Sequence, residues 1–152
     1  MRKPHGVVSR KAIETARPTP TQRDRAVRLL AHEARGDASS DALAAAAERV
    51  CRRLSHHSGK VLGVDTFHAL LARALALVKP DFPFLGIVTV ESSQPCLKGL
   101  HESLREQPAS QASDAIVAVV ATFLALVAAF IGEEMSLSVL VEIWAERSLA
   151  DM

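Results

Sequence analysis

Residues Ala115–Ile131 read AIVAVVATFLALVAAFI, seventeen positions in which Thr122 carries the only polar side chain. A helix apolar on every side must be enclosed by protein or by lipid, so this run decides what the rest of the chain has to do. A bilayer span takes roughly 20 mostly apolar residues, and Ala115–Gly132 supplies eighteen uncharged ones. Length alone therefore accepts a span. The flanks argue against it. Six of the seventeen residues are alanine, which gains little from lipid, and both ends are acidic, with Asp114 before and Glu133-Glu134 after. Interfacial anchors are missing as well: the chain has no tyrosine, its one tryptophan is Trp144, and no Lys or Arg stands close to the run.

The remaining helical segments each carry a single apolar stripe, which in water needs a hydrophobic partner. The expected fold is all-α: an orthogonal or up-and-down bundle of about five helices around one central apolar helix, Ala112–Ile131. A disordered basic N-terminal arm precedes it. The alternative is a small single-pass or tail-anchored membrane protein with its span at 115–131.

A chain of 152 residues suits one domain with a real core. Apolar residues make up 49%, which excludes wholesale disorder, while aromatics at 4% leave the core to Leu, Val and Ala, all compatible with helix. The net charge of +1 conceals an asymmetry. Residues 1–38 hold nine basic against four acidic side chains, and residues 39–152 hold nine against thirteen. The expected division on this basis is a basic arm over 1–38, disordered apart from a short helix at 20–35, followed by one helical bundle domain over 39–152. No apolar stretch near the N-terminus forms a secretory signal, and a cytoplasmic location is the default. Cys51 and Cys96 belong to no CxxC motif and are read as small buried hydrophobes on helix faces, with nothing in their spacing to argue for a disulfide.

Along the chain, Thr19-Pro20-Thr21-Gln22 has the pattern of a capping box with proline at the first helical position. The helix that follows places Ala26, Val27, Leu30 and Ala34 on one face and Arg23, Arg25, Arg28 and Arg35 largely elsewhere. Ser39 or Ser40 caps a second helix to about Ser55, with Leu43, Ala47, Val50, Cys51 and Leu54 as its stripe and Arg49, Arg52 and Arg53 facing away. A loop HHSGKVLG comes next. Asp65 is expected to cap a helix over Thr66–Lys79, whose Phe67, Leu70, Leu71, Ala74, Leu75 and Val78 fit helical spacing closely, and Pro80 ends it. The prolines and β-branched residues of 80–94 predict an extended connection that packs Phe82, Phe84 and Leu85 across the bundle. Pro95 is expected to open a helix to about Glu106 with Leu97, Leu100 and Leu104 inward. Ser110 or Ser113 would cap the central helix, Gly132 would bend its end, and a last helix would start at Ser136 with Trp144 on its inner side.

Catalytic and metal signatures are absent from the sequence. His56-His57 are adjacent, so on a helix they point about 100° apart and do not share a metal. Ser58-Gly59-Lys60 lacks the strand, the first glycine and the hydroxyl residue of a phosphate-binding loop. Glu133-Glu134 reads as a solvated helix terminus. The weak candidates for a ligand or haem pocket are His68, His101 and Trp144, the histidines as axial or polar contacts and the indole as a wall. No cofactor is expected. The expected function is a non-enzymatic interaction or regulatory domain, with protein partners met through Arg23, Arg25, Arg28 and Arg35. Homodimerisation through an apolar stripe is a further expectation, and nucleic acid held by the arm is a weaker one. A helical sensor of a small ligand or haem is the remaining alternative.

Overall fold

The computed structural model describes residues 17–34, 39–91 and 96–132, without the side chains of 57–61. Among the described residues there are five α-helices: α1 Pro20–Ala34, α2 Ser40–Leu62, α3 Val64–Val78, α4 Leu100–Arg105 and α5 Ala109–Ile131. A 3₁₀ helix at Pro83–Ile87 and a two-residue antiparallel ladder join α3 to α4. The ladder pairs β1, Thr89–Val90, with β2, Leu97–Lys98, in the register Thr89 to Lys98 and Val90 to Leu97. The chain is an all-α bundle. The helix expected from Ser136, with Trp144, lies outside the described residues.

The helix starts follow local chemistry. At α1 the Thr19 N–H donates to Gln22 Oε1 at 2.9 Å and the Gln22 N–H donates back to Thr19 Oγ at 3.1 Å, the reciprocal capping box that the sequence predicts. At α2 the cap is Ser39, whose hydroxyl accepts from the Ala42 N–H at 3.2 Å. Ser40 instead donates to the Gln107 carbonyl, tying the start of α2 to the segment after α4. Neither serine expected at α5 caps it. The helix starts one residue after Pro108, which stands at the N-cap position and needs no donor.

Several expected boundaries shift, each for an identifiable reason. Helix α2 continues seven residues beyond Ser55, through His56-His57-Ser58-Gly59-Lys60, where a loop is expected from the sequence. One interior glycine costs a helix about 1 kcal/mol relative to alanine, and the longer helix brings Leu62 against the core. The break falls at Gly63 instead, at φ 88°. Helix α3 then begins at Val64, and Asp65 sits exposed in its first turn rather than capping it, where its charge still favours the helix N-terminus. Pro95, expected to open a helix, lies outside the described residues, and the residues just after it are not helical. Cys96 lies in a bend, Leu97–Lys98 are extended, and α4 begins at Leu100. The cause is the missing partner of β1: Thr89 finds one nine positions along the chain at Lys98 and Val90 one seven positions along at Leu97. Gly99, at φ 88°, turns the corner into α4, and a Cβ there would lie 2.9 Å from the Ile87 carbonyl oxygen.

Helix α5 is the hub, packing on α1, α2 and α3. From Val119 to Val127 every residue is buried, Thr122 included. The Phe123 ring meets Phe67 of α3 edge to face, centroids 5.3 Å apart. The stripe foreseen for α3 is the one observed, all six residues buried, and all five stripe residues of α2 are buried as well. On α1 the stripe is rotated: Ala26, Leu29 and Leu30 enter the core together with Gln22 and Glu33, while Val27 is 45% exposed. Phe82 and Phe84 half-bury against each other and the core, and Leu85 is fully inside.

Candidate functional site

Two polar junctions on α2 organise the surface of this otherwise apolar assembly. The first fixes α1. Glu33, near the end of α1, is 5% exposed, and a buried carboxylate requires compensation. Two guanidiniums from successive turns of α2 supply it. Arg49 Nε stands 3.2 Å from one carboxylate oxygen and Arg53 Nε 2.9 Å from the other. Arg49 also donates through Nη2 to the Glu33 carbonyl at 2.7 Å, which satisfies a C-terminal backbone acceptor of α1. Of the three arginines read as facing away from the α2 core, then, only Arg52 is exposed.

Held this way, α1 shows a basic outer surface. Arg23 and Arg28 are exposed, Arg25 is half-buried, and Val27 lies among them. Arg28 pairs with Asp24 one turn earlier at 3.1 Å, an exposed ion pair that leaves the guanidinium accessible. Arg35, the fourth partner-binding candidate, lies outside the described residues. Among the described residues the remaining large exposed apolar side chains, Val64, Ile87 and Phe130, are on three other elements.

The second junction holds the hairpin. Glu48, on α2, accepts the N–H of Cys96 on one carboxylate oxygen and that of Leu97 on the other, at 3.2 Å for the latter. Cys51 lies one turn further along α2, and its S–H donates to the Cys96 sulfur. Both cysteines are free and buried. That hydrogen bond lowers the Cys96 pKa below the ordinary thiol value, against burial and the Glu48 charge, which oppose it. Cys51 moves the other way: its proton is committed to Cys96, and burial and the two neighbouring charges raise it well above the ordinary value. The sequence reading missed this cluster because its members stand 45 to 49 positions apart. The one local hint is a carboxylate at 48 with a cysteine three residues on, beside the apolar face of α2.

The histidines go separate ways. The half-buried His68 ring packs edge on to Phe67 at 5.4 Å, while the exposed His101 faces Asp41 at the start of α2 at 4.0 Å. The two make no contact with each other, and Trp144 lies outside the described residues, as do Glu133 and Glu134. Ser58-Gly59-Lys60 is helical, which a phosphate-cradling loop is not. No group of three or more His, Cys, Asp or Glu among the described residues is arranged to hold a metal ion. A cavity of about 10 Å³ sits between Cys51, Leu75, Val88, Leu97, Ile116 and Val120, room for one water-sized occupant at most and with apolar walls.

No protein-family model, no curated protein and no solved structure matches this chain.

Proposed function

We propose that the chain is a non-enzymatic helical interaction domain whose partner docks on the outer face of α1. The observation that carries this reading is the Glu33 junction. An amphipathic helix packed only by Ala26, Leu29 and Leu30 would be free to slide, whereas two guanidiniums on one buried carboxylate fix its rotation. Arg23 and Arg28 then face solvent from a rigid support, with Val27 as an apolar contact between them. Such a surface suits a protein with an acidic face, since opposite charge steers encounter and sets register.

The test is a charge reversal that leaves the core untouched. Wild-type protein and an R23E/R28E variant are immobilised, and proteins retained from the producing cells are compared across a salt series. A partner retained by the wild type, released by rising salt and lost tenfold or more in the variant is the expected result. Equal retention by both forms sinks the reading.

A second reading has its own observation. Ala109–Ile131 is long and apolar enough to cross a membrane. In the structure 61% of its most apolar stretch is buried by the other elements, which supports a core helix. Extraction at alkaline pH separates the two: a core helix leaves with the soluble fraction, and a span stays with the lipid.

A further inference from the structure

We propose that Cys51 and Cys96 form a reversible dithiol–disulfide pair, which a peroxide closes and a small thiol reopens. Glu48 accepts the Cys96 N–H and stands one turn before Cys51 on α2, so it brings two buried free cysteines from distant parts of the chain into one cluster, where the Cys51 S–H faces the Cys96 sulfur. Closure brings the two sulfurs from hydrogen-bond contact to an S–S bond of about 2.05 Å. The cavity of about 10 Å³ abuts Cys51, so its sulfur has slack to turn without displacing a packed side chain.

The arrangement also divides the labour. Cys96, whose thiolate is stabilised by the Cys51 S–H that donates to it and whose own proton passes to solvent, is the attacking sulfur, and Cys51 is the resolving thiol. Cys96 attacks one peroxide oxygen, the O–O bond breaks, and a sulfenic acid and hydroxide result. The hydroxide takes up the Cys51 proton and becomes the first water; the Cys51 sulfur then attacks the sulfenic sulfur, and the hydroxide it expels takes up the proton that Cys96 released on ionising and becomes the second. Two thiols and one hydrogen peroxide thus give one disulfide and two waters. Access does not require the bundle to open. The ladder beside Cys96 is two residues long on each strand, so a local opening that releases it and the two Glu48 hydrogen bonds exposes Cys96 while α2, α3 and α5 stay packed. Once formed, the bond would clamp the hairpin to the middle of α2, where the two Glu48 hydrogen bonds now hold it.

The experiment uses the native, full-length protein. It is treated with hydrogen peroxide in modest excess, unfolded, and alkylated, and its intact mass and cross-linked peptides are read. Closure predicts the loss of two hydrogens, no alkylation at either cysteine, one peptide pair joining Cys51 to Cys96, and full reversal by dithiothreitol. Both thiols still open to alkylation, or Cys96 carried on to the sulfinic acid beside a free Cys51, would overturn the proposal. Glu48→Gln supplies an independent reading. It keeps an acceptor for the hairpin but removes the charge that disfavours the Cys96 thiolate, so alkylation of the native protein at neutral pH should quicken several-fold at Cys96. An unchanged or slower rate counts against the assignment of Cys96 as the attacking thiol.

Discussion

Helix α5 and the β1–β2 hairpin are held in place by opposite means. Helix α5 has no polar anchor. It is seated by bulk, nine consecutive buried residues with three helices packed around them, and any partner surface of the right size and greasiness would serve. The hairpin adds little bulk of its own, chiefly Leu97 and the half-buried Val90. It is seated by direction: one carboxylate receiving two N–H groups, one sulfur contact, one corner glycine and two paired residues per strand. Non-directional burial tolerates small errors of position, whereas directional contacts fail as a set when one geometry is lost.

The contrast can be broken at either end. Phe123→Ala removes the ring that meets Phe67 and should cost about 3–5 kcal/mol in denaturant unfolding, the largest single effect expected here. Because the loss is spread over one cooperative core, every spectroscopic probe should report the same shift. Gly99→Ala puts a methyl against the Ile87 carbonyl at a backbone conformation that alanine avoids, for about 2 kcal/mol. This loss should be local, seen as faster tryptic cleavage at Lys98 with the helical signal retained. Uniform destabilisation without faster cleavage would show that the hairpin and the bundle open together. Thr19→Ala removes one side of the capping box, for about 1 kcal/mol, and should fray α1 at its start while Glu33 still holds its end.

The same contrast governs what could be read from the sequence. The α3 stripe, the five α2 stripe residues and the capping box at Thr19 were legible because each depends on neighbours within four or five positions. The central position of α5 was legible because an all-apolar run admits few surroundings. What was missed depends on residues far apart in sequence. Pro95 has the signature of a helix start, and only the demand of Thr89–Val90 for a partner overrides it. Gly59 looks like a stop, yet Gly63 is the one at positive φ. On α1 the buried face is set by Glu33 meeting Arg49 and Arg53, so a reading of α1 alone puts Val27 inside. The candidate surface was half legible: Arg23 and Arg28 were identified from their helical spacing, but the contact that holds them outward was not.

One consequence of the central place of α5 concerns synthesis. A ribosome delivers the chain from the N-terminus, and α1, α2 and α3 emerge before the helix that covers their stripes. Phe67, Leu71 and Leu75 must therefore wait for 44 to 52 residues of further translation before Val119 arrives, and the apolar faces of α1 and α2 for longer. The nascent chain carries its most adhesive surfaces first and their cover last. A holding chaperone would find its substrate in that interval, and slowed translation between Val78 and Ala115 would lengthen the exposure.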